Sequence, residues 1–101
     1  MVHHYVMLKF KENTSADHIS AFVSKMLVLS HHIDVVESIN IGLDELKETR
    51  SWDLILDMRF RCYEDLQTYR QHPKHIAVMQ FNDPFVNDIA AVDFTNTKAP
   101  G

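Results

Sequence analysis

Apolar and polar positions alternate over residues 2–11. His4, Val6, Leu8 and Phe10 fall on one side, and His3, Tyr5, Met7 and Lys9 on the other. A period of two predicts a strand. Asn13-Thr14-Ser15 breaks the alternation. Thr14 or Ser15 suits a helix N-cap, and Asp17 suits the positive end of the helix that follows. Ile19, Phe22, Val23, Met26 and Leu27 then recur at helical spacing and predict one apolar face, ending at Ser30-His31-His32-Ile33-Asp34. Residues 35–42 alternate again, as a second strand. Residues 43–51 are charged and form the longest connector, expected to be exposed and mobile. A third strand over 52–62 sets Leu54, Leu56, Met58 and Phe60 against Ile55, Asp57 and Arg59. Residues 63–71 read as a helix that turns Leu66 and Tyr69 inward. Pro73 suits the first turn of a further helical segment over 75–81. After Asn82-Asp83-Pro84, residues 88–95 form the last strand, with Ile89, Ala91 and Asp93 opposite Ala90, Val92 and Phe94.

The order strand, helix, strand, strand, helix, strand predicts an α+β fold of the ferredoxin-like βαββαβ type. Its four-stranded antiparallel sheet carries the helices on one face, and its first strand lies between the third and the fourth. Residues 1–95 make one domain, and 96–101 a polar tail. The other sheet face carries Tyr5, Met7, Ile55, Val92 and Phe94, mixed with Lys9, Asp57 and Arg59. Left in water, these apolar groups form a patch of roughly several hundred Å², large for a monomer. Covering it at about 25 cal/mol per Å² stabilises an association by several kcal/mol before association costs. A homodimer packed sheet against sheet is therefore expected.

Composition narrows the possibilities. A chain of 101 residues has room for one hydrophobic core. Its 46% hydrophobic and 24% charged residues are those of a globular domain. The formal charge of −4 and the scattered Lys and Arg argue against nucleic acid and anionic membrane as partners. No apolar run reaches the roughly 18 residues of a membrane helix. No basic leader precedes an apolar stretch, and Cys62 is the single cysteine; a reduced, cytoplasmic protein is expected. The two glycines, Gly42 and Gly101, make no phosphate loop, so nucleotide-dependent chemistry is not expected.

Seven histidines are the compositional hint of chemistry. The densest polar cluster is Tyr69-Arg70-Gln71-His72-Pro73-Lys74-His75. Histidines three apart can share a helix face and bind zinc or iron, with a third ligand from His4 or Asp93. Pro73, however, places His72 before the helix and His75 within it. His72 then suits a structural role, bonding backbone carbonyls at the helix break. His4 and Asp93 sit on strands expected to be antiparallel neighbours. Register alone leaves two readings: Asp93 orients the His4 imidazole on the helix-covered face, or it faces solvent at a strand end. Cys62 lacks a neighbouring base and reads as a passive thiol. Trp52 is expected to anchor the connector against the sheet, and His18, His31 and His32 to lie on the surface.

These segments resemble the stress-responsive A/B barrel domain family. The resemblance spans nearly the whole chain. It is carried by the opening Val2-His3-His4-Tyr5-Val6-Met7-Leu8-Lys9-Phe10-Lys11, Ser51-Trp52-Asp53-Leu54, the Tyr69-to-His75 cluster and Val92-Asp93-Phe94. It implies a ferredoxin-like protomer whose sheets pair into a dimeric α/β barrel. Within the family, a plant polyketide cyclase closes a linear polyketide by an aldol-type reaction without cofactor. Its catalytic tyrosine and histidine match Tyr69 and His75. Its supporting first-strand histidine matches His4, and its late aspartate matches Asp93. A further third-strand histidine is replaced here by Leu54, which makes that wall less polar.

The expected site follows from this match. His75 is the general base toward a carbon beside a carbonyl. Tyr69 donates to the enolate oxygen, and His4, oriented by Asp93, positions substrate or relays the proton. Val6, Leu8, Phe22, Val23, Leu54 and Leu56 are the expected substrate-binding residues. The ligand expected is a small hydrophobic or aromatic carbonyl compound, and the reaction a cyclisation, isomerisation or lyase step with no cofactor. Two other classes stand beside this one: a non-enzymatic stress or ligand-binding dimer, and a haem or metal binder. Fold alone does not choose among them.

Overall fold

The computed structural model describes residues 1–96. Its elements are β1 (Val2–Phe10), α1 (Ala16–His32), β2 (Ser38–Leu43), β3 (Leu54–Phe60), α2 (Tyr63–Gln71), α3 (Pro73–Asn82), a 3-10 turn (Asp83–Phe85) and β4 (Val86–Thr95). The four strands make one antiparallel sheet in the order β2-β3-β1-β4. This is the ferredoxin-like arrangement that the alternation predicts. Most of the tail, residues 97–101, lies outside the described residues.

Local chemistry sets the element ends. Ser15 caps α1 by accepting from the His18 amide at 3.0 Å, with Asp17 in the first turn. Asn13 takes a positive φ of 67°, a conformation asparagine tolerates, in the turn before it. The second strand begins three residues later than the alternation suggests. The Val36 amide donates to Ile33 O at 3.1 Å in a turn, and the ladder begins only at Ser38. The third strand is shorter at both ends, and at its start Asp53 is tied to β1. Its amide donates to Leu8 O at 2.9 Å, and its carboxylate accepts from the Phe10 amide at 2.8 Å.

The core lies between the sheet and the helices. Val2, Val6, Leu8, Leu54, Leu56, Met58 and Phe60 supply the sheet side. Phe22, Met26 and Leu29 of α1, Leu66 and Tyr69 of α2, and Val78 of α3 supply the helix side. Two surface assignments change. Leu27 is exposed, since the buried stripe of α1 runs 22-26-29. His18 is half-buried rather than a surface residue: it lies four residues before Phe22 on that stripe, stacked on Phe85 at 3.8 Å.

The opposite sheet face is open. Val92 is 58% exposed, and Ile55 and Phe94 are exposed on the same face. His3, Tyr5 and Phe94 form an aromatic row here, His3 stacking on Phe94 at 4.7 Å and Tyr5 on Phe94 at 5.8 Å. The charges on this face are already paired. Arg59 Nε–H donates to Asp57 at 3.1 Å, and the Lys9 ammonium lies 5.0 Å over the Trp52 ring.

Candidate active site

The candidate site forms where β1, β4, α2 and α3 meet. His4 of β1 is directly opposite Asp93 of β4 in the register, and its Nδ1–H donates to Asp93 Oδ1. His4 is 6% exposed, and the Asp93 side chain is partly open. Of the two readings, the paired one holds, on the helix-covered face. Arg70 Nη2 approaches the other Asp93 oxygen at 3.7 Å. The carboxylate thus lies between an imidazole from the sheet and a guanidinium from α2.

His75 sits on the first turn of α3. Pro73 occupies the start of that helix, where its missing N–H costs nothing. The break between α2 and α3 turns the His75 ring back onto α2. Its Nδ1–H donates to Arg70 O at 3.1 Å, and its ring centroid lies 4.4 Å from that of Tyr69. With Nδ1 holding the proton, Nε2 keeps a free lone pair. Burial pushes the His75 pKa below the usual histidine value, against the raising effect of the Arg70 carbonyl. The neighbouring His4 and Arg70 push it down further, and Asp83 pushes it up. Tyr69 is 2% exposed, and burial drives its pKa well above the usual tyrosine value. It therefore keeps its proton and can donate it in a hydrogen bond. The His75 and Tyr69 rings meet at a tilt of 52°.

A cavity of about 480 Å³ opens against these groups. His4, Tyr69 and His75 line it, with Val6, Leu8, Phe22 and Leu56 as apolar wall. Two expected lining residues fall elsewhere. Val23 lines a separate groove of about 510 Å³ at the start of α1, because it sits one residue past Phe22 and points off the core stripe. Leu54 is buried at the far end of β3, beside Trp52 and Met7. Leu43 and Lys47 of the charged connector line the groove beside α1, away from the His/Tyr cavity. That groove is the larger of the two but carries no histidine or tyrosine.

His72 has a helix-capping role of a different kind from the one expected. Its Nδ1 accepts from the Lys74 amide at 3.1 Å rather than binding a carbonyl. His72 and His75 thus bind different backbone groups. Among the described residues, no three His, Cys, Asp or Glu side chains converge as metal ligands do. Cys62 precedes α2 and is exposed. Sequence reasoning missed Arg70, Met79 and Asn82 in the cavity wall. The last two follow His75 by four and seven residues, a helical spacing that was available as a signal.

Comparison with known proteins agrees with this architecture. The family model of the stress responsive A/B barrel domain matches residues 2–96. A stress-response A/B barrel domain-containing protein of Arabidopsis thaliana is 26% identical over all of this chain, which covers 39% of that relative. The chain spans less than half the length of the curated relatives it matches. A dimeric ferredoxin-like protein from Thermobifida fusca superposes with a TM-score of 0.85 at 18% identity, covering 94% of this chain and 90% of that one. A hydroxynitrile lyase from Passiflora edulis superposes with a TM-score of 0.87 at 15% identity, covering 98% and 96%. At such identities the two structures establish the fold. With the family model spanning nearly every residue, the chain belongs to the stress-responsive A/B barrel domain family.

Proposed function

We propose that this chain works as a homodimer and catalyses cofactor-free proton transfer on a small hydrophobic carbonyl compound. The carrying observation is the His75 ring, which gives Nδ1–H to the Arg70 carbonyl and lies tilted against Tyr69 at the cavity wall. His75 Nε2 takes a proton from the carbon next to the carbonyl. Tyr69 O–H donates to the oxygen on which enolate charge develops. His4, held by Asp93, orients the substrate or returns the proton. In a cyclisation the enolate carbon then bonds a second carbonyl carbon of the same molecule, and the proton ends on the new alkoxide. In the lyase direction the same bond breaks. That one fold neighbour is a hydroxynitrile lyase supports this class of chemistry on this scaffold.

The apolar row on the open sheet face and the dimeric fold neighbours support the homodimer. Charges paired within that face lower the cost of covering it.

The test is His75→Ala, with Tyr69→Phe beside it. Turnover lost while stability and ligand affinity persist supports the reading. A His75→Ala chain that unfolds makes His75 structural and removes the catalytic reading's main residue.

A further inference from the structure

Asn82 ends α3 with a buried polar side chain that the proposed proton transfer does not use. His75, Met79 and Asn82 all line the cavity from one face of α3. Seven residues of helix put Asn82 about 10 Å along the axis from His75. β1 follows the same course: His4 lies opposite Asp93 at one end, and Leu8 opposite Ile89 at the other. The cavity is polar at both ends, with Val6, Leu56 and Met79 between them.

The Asn82 side chain is fixed in orientation. His18 Nε2–H donates to its Oδ1 at 2.9 Å, and the His18 ring is stacked against Phe85 at 3.8 Å and Phe81 at 4.7 Å. With the oxygen committed to His18, the amide nitrogen faces the other way. Among the described residues it has no protein partner. Asn82 is 2% exposed and lines the cavity, and the bond of its oxygen to His18 leaves the amide nitrogen as the group available to a ligand. An N–H donor in the cavity wall without a protein partner suits an acceptor on the ligand. Asp83 beside it and Asp88 on β4 line the same end, and their carboxylates repel an anionic acceptor.

We infer that Asn82 determines substrate specificity by binding a second, uncharged oxygen acceptor about 8–10 Å from the reacting carbonyl. The substrate class is then an elongated dicarbonyl, or a carbonyl compound with a distal ether or hydroxyl, joined through an apolar middle. The inference rests on the proposed chemistry for one point only, the placement of the reacting carbonyl at Tyr69 and His75.

Two probes of equal length test it: decane-2,9-dione, with two carbonyls, and 2-decanone, with one. Titration calorimetry on the full chain should show the dione binding about 3- to 10-fold more tightly. In Asn82→Leu the preference should vanish or reverse while 2-decanone affinity holds. Because that variant can fail to fold, the wild-type protein supplies a second readout. The Asn82 side-chain amide signals in a ¹⁵N correlation spectrum should move with the dione and not with 2-decanone. Equal affinities, a preference that survives in Asn82→Leu, unmoved amide signals, or binding of neither compound overturns the inference. Tyr69→Phe separates it from the proposed chemistry. If that variant weakens neither ketone while the Asn82-dependent preference persists, the chemistry fails and the specificity role stands.

Discussion

His4 and Asp93 stand 89 positions apart in the chain and directly opposite in the β1–β4 ladder, with the imidazole donating to the carboxylate. The pair joins the first and last strands at the end of the cavity where Tyr69 and His75 converge. Sheet register therefore fixes the tautomer of His4. Removing the carboxylate with Asp93→Ala leaves a buried imidazole donor without a partner. The expected cost is about 1–3 kcal/mol of stability. Thermal unfolding measures it, and long-range ¹H–¹⁵N spectra should show His4 losing its single tautomer. An unchanged tautomer would mean that some other group holds the ring.

His75 titrates below the ordinary histidine value of about 6.5, because burial opposes its charge. The sign follows: an unfolded chain takes up this proton at a higher pH than the folded one. The stability contributed by a neutral His75 is complete above about pH 6.5 and is lost as pH falls toward the folded-state pKa. Arg70→Gln should raise the midpoint, since it removes a repelling cation, and Asp83→Asn should lower it. An NMR titration of the ring protons reads both shifts, and a midpoint at or above about 6.5 in the wild type contradicts the burial argument.

His72 and His75 separate cleanly by role. His72→Ala removes the side-chain acceptor at the start of α3 and should cost about 1 kcal/mol of stability, with ketone binding unchanged. A loss of binding with stability intact would place His72 at the ligand instead.

On the open face, Val92→Asp sets a charge on the face that carries Tyr5, Ile55 and Phe94. Burying it unpaired costs about several kcal/mol. Sedimentation at micromolar concentration should show a dimer for the wild type and a monomer for the variant. A monomeric wild type removes the dimer.

The fold was legible because the strands alternate, and the central β1 and β3 bury one side: Leu54, Leu56, Met58 and Phe60 are all core. The start of β2 was not, because Val35 and Val36 look like strand residues yet belong to a turn closed by the Val36 amide on Ile33 O. Composition hid part of the site. His18 reads as polar, but the spacing 18-22-26-29 puts it on the buried stripe, and only the later Phe81 and Phe85 reveal what encloses it. Val23 failed as a cavity residue for the converse reason: it is apolar and helical but lies beside the stripe. Asn82 was invisible because its value depends on a hydrogen bond from a helix 64 positions away.

The proposed role of His75 is to remove a proton from carbon beside a carbonyl held at Tyr69. Its most direct measurement is deuterium exchange into the α-carbon positions of decane-2,9-dione in D2O, followed by NMR. The wild type should accelerate exchange by roughly 10²-fold or more over buffer, as positioned general bases do. His75→Ala, folded and still binding the dione, should return it to the buffer rate. Exchange by the wild type no faster than buffer, or equal in the two proteins, contradicts the account.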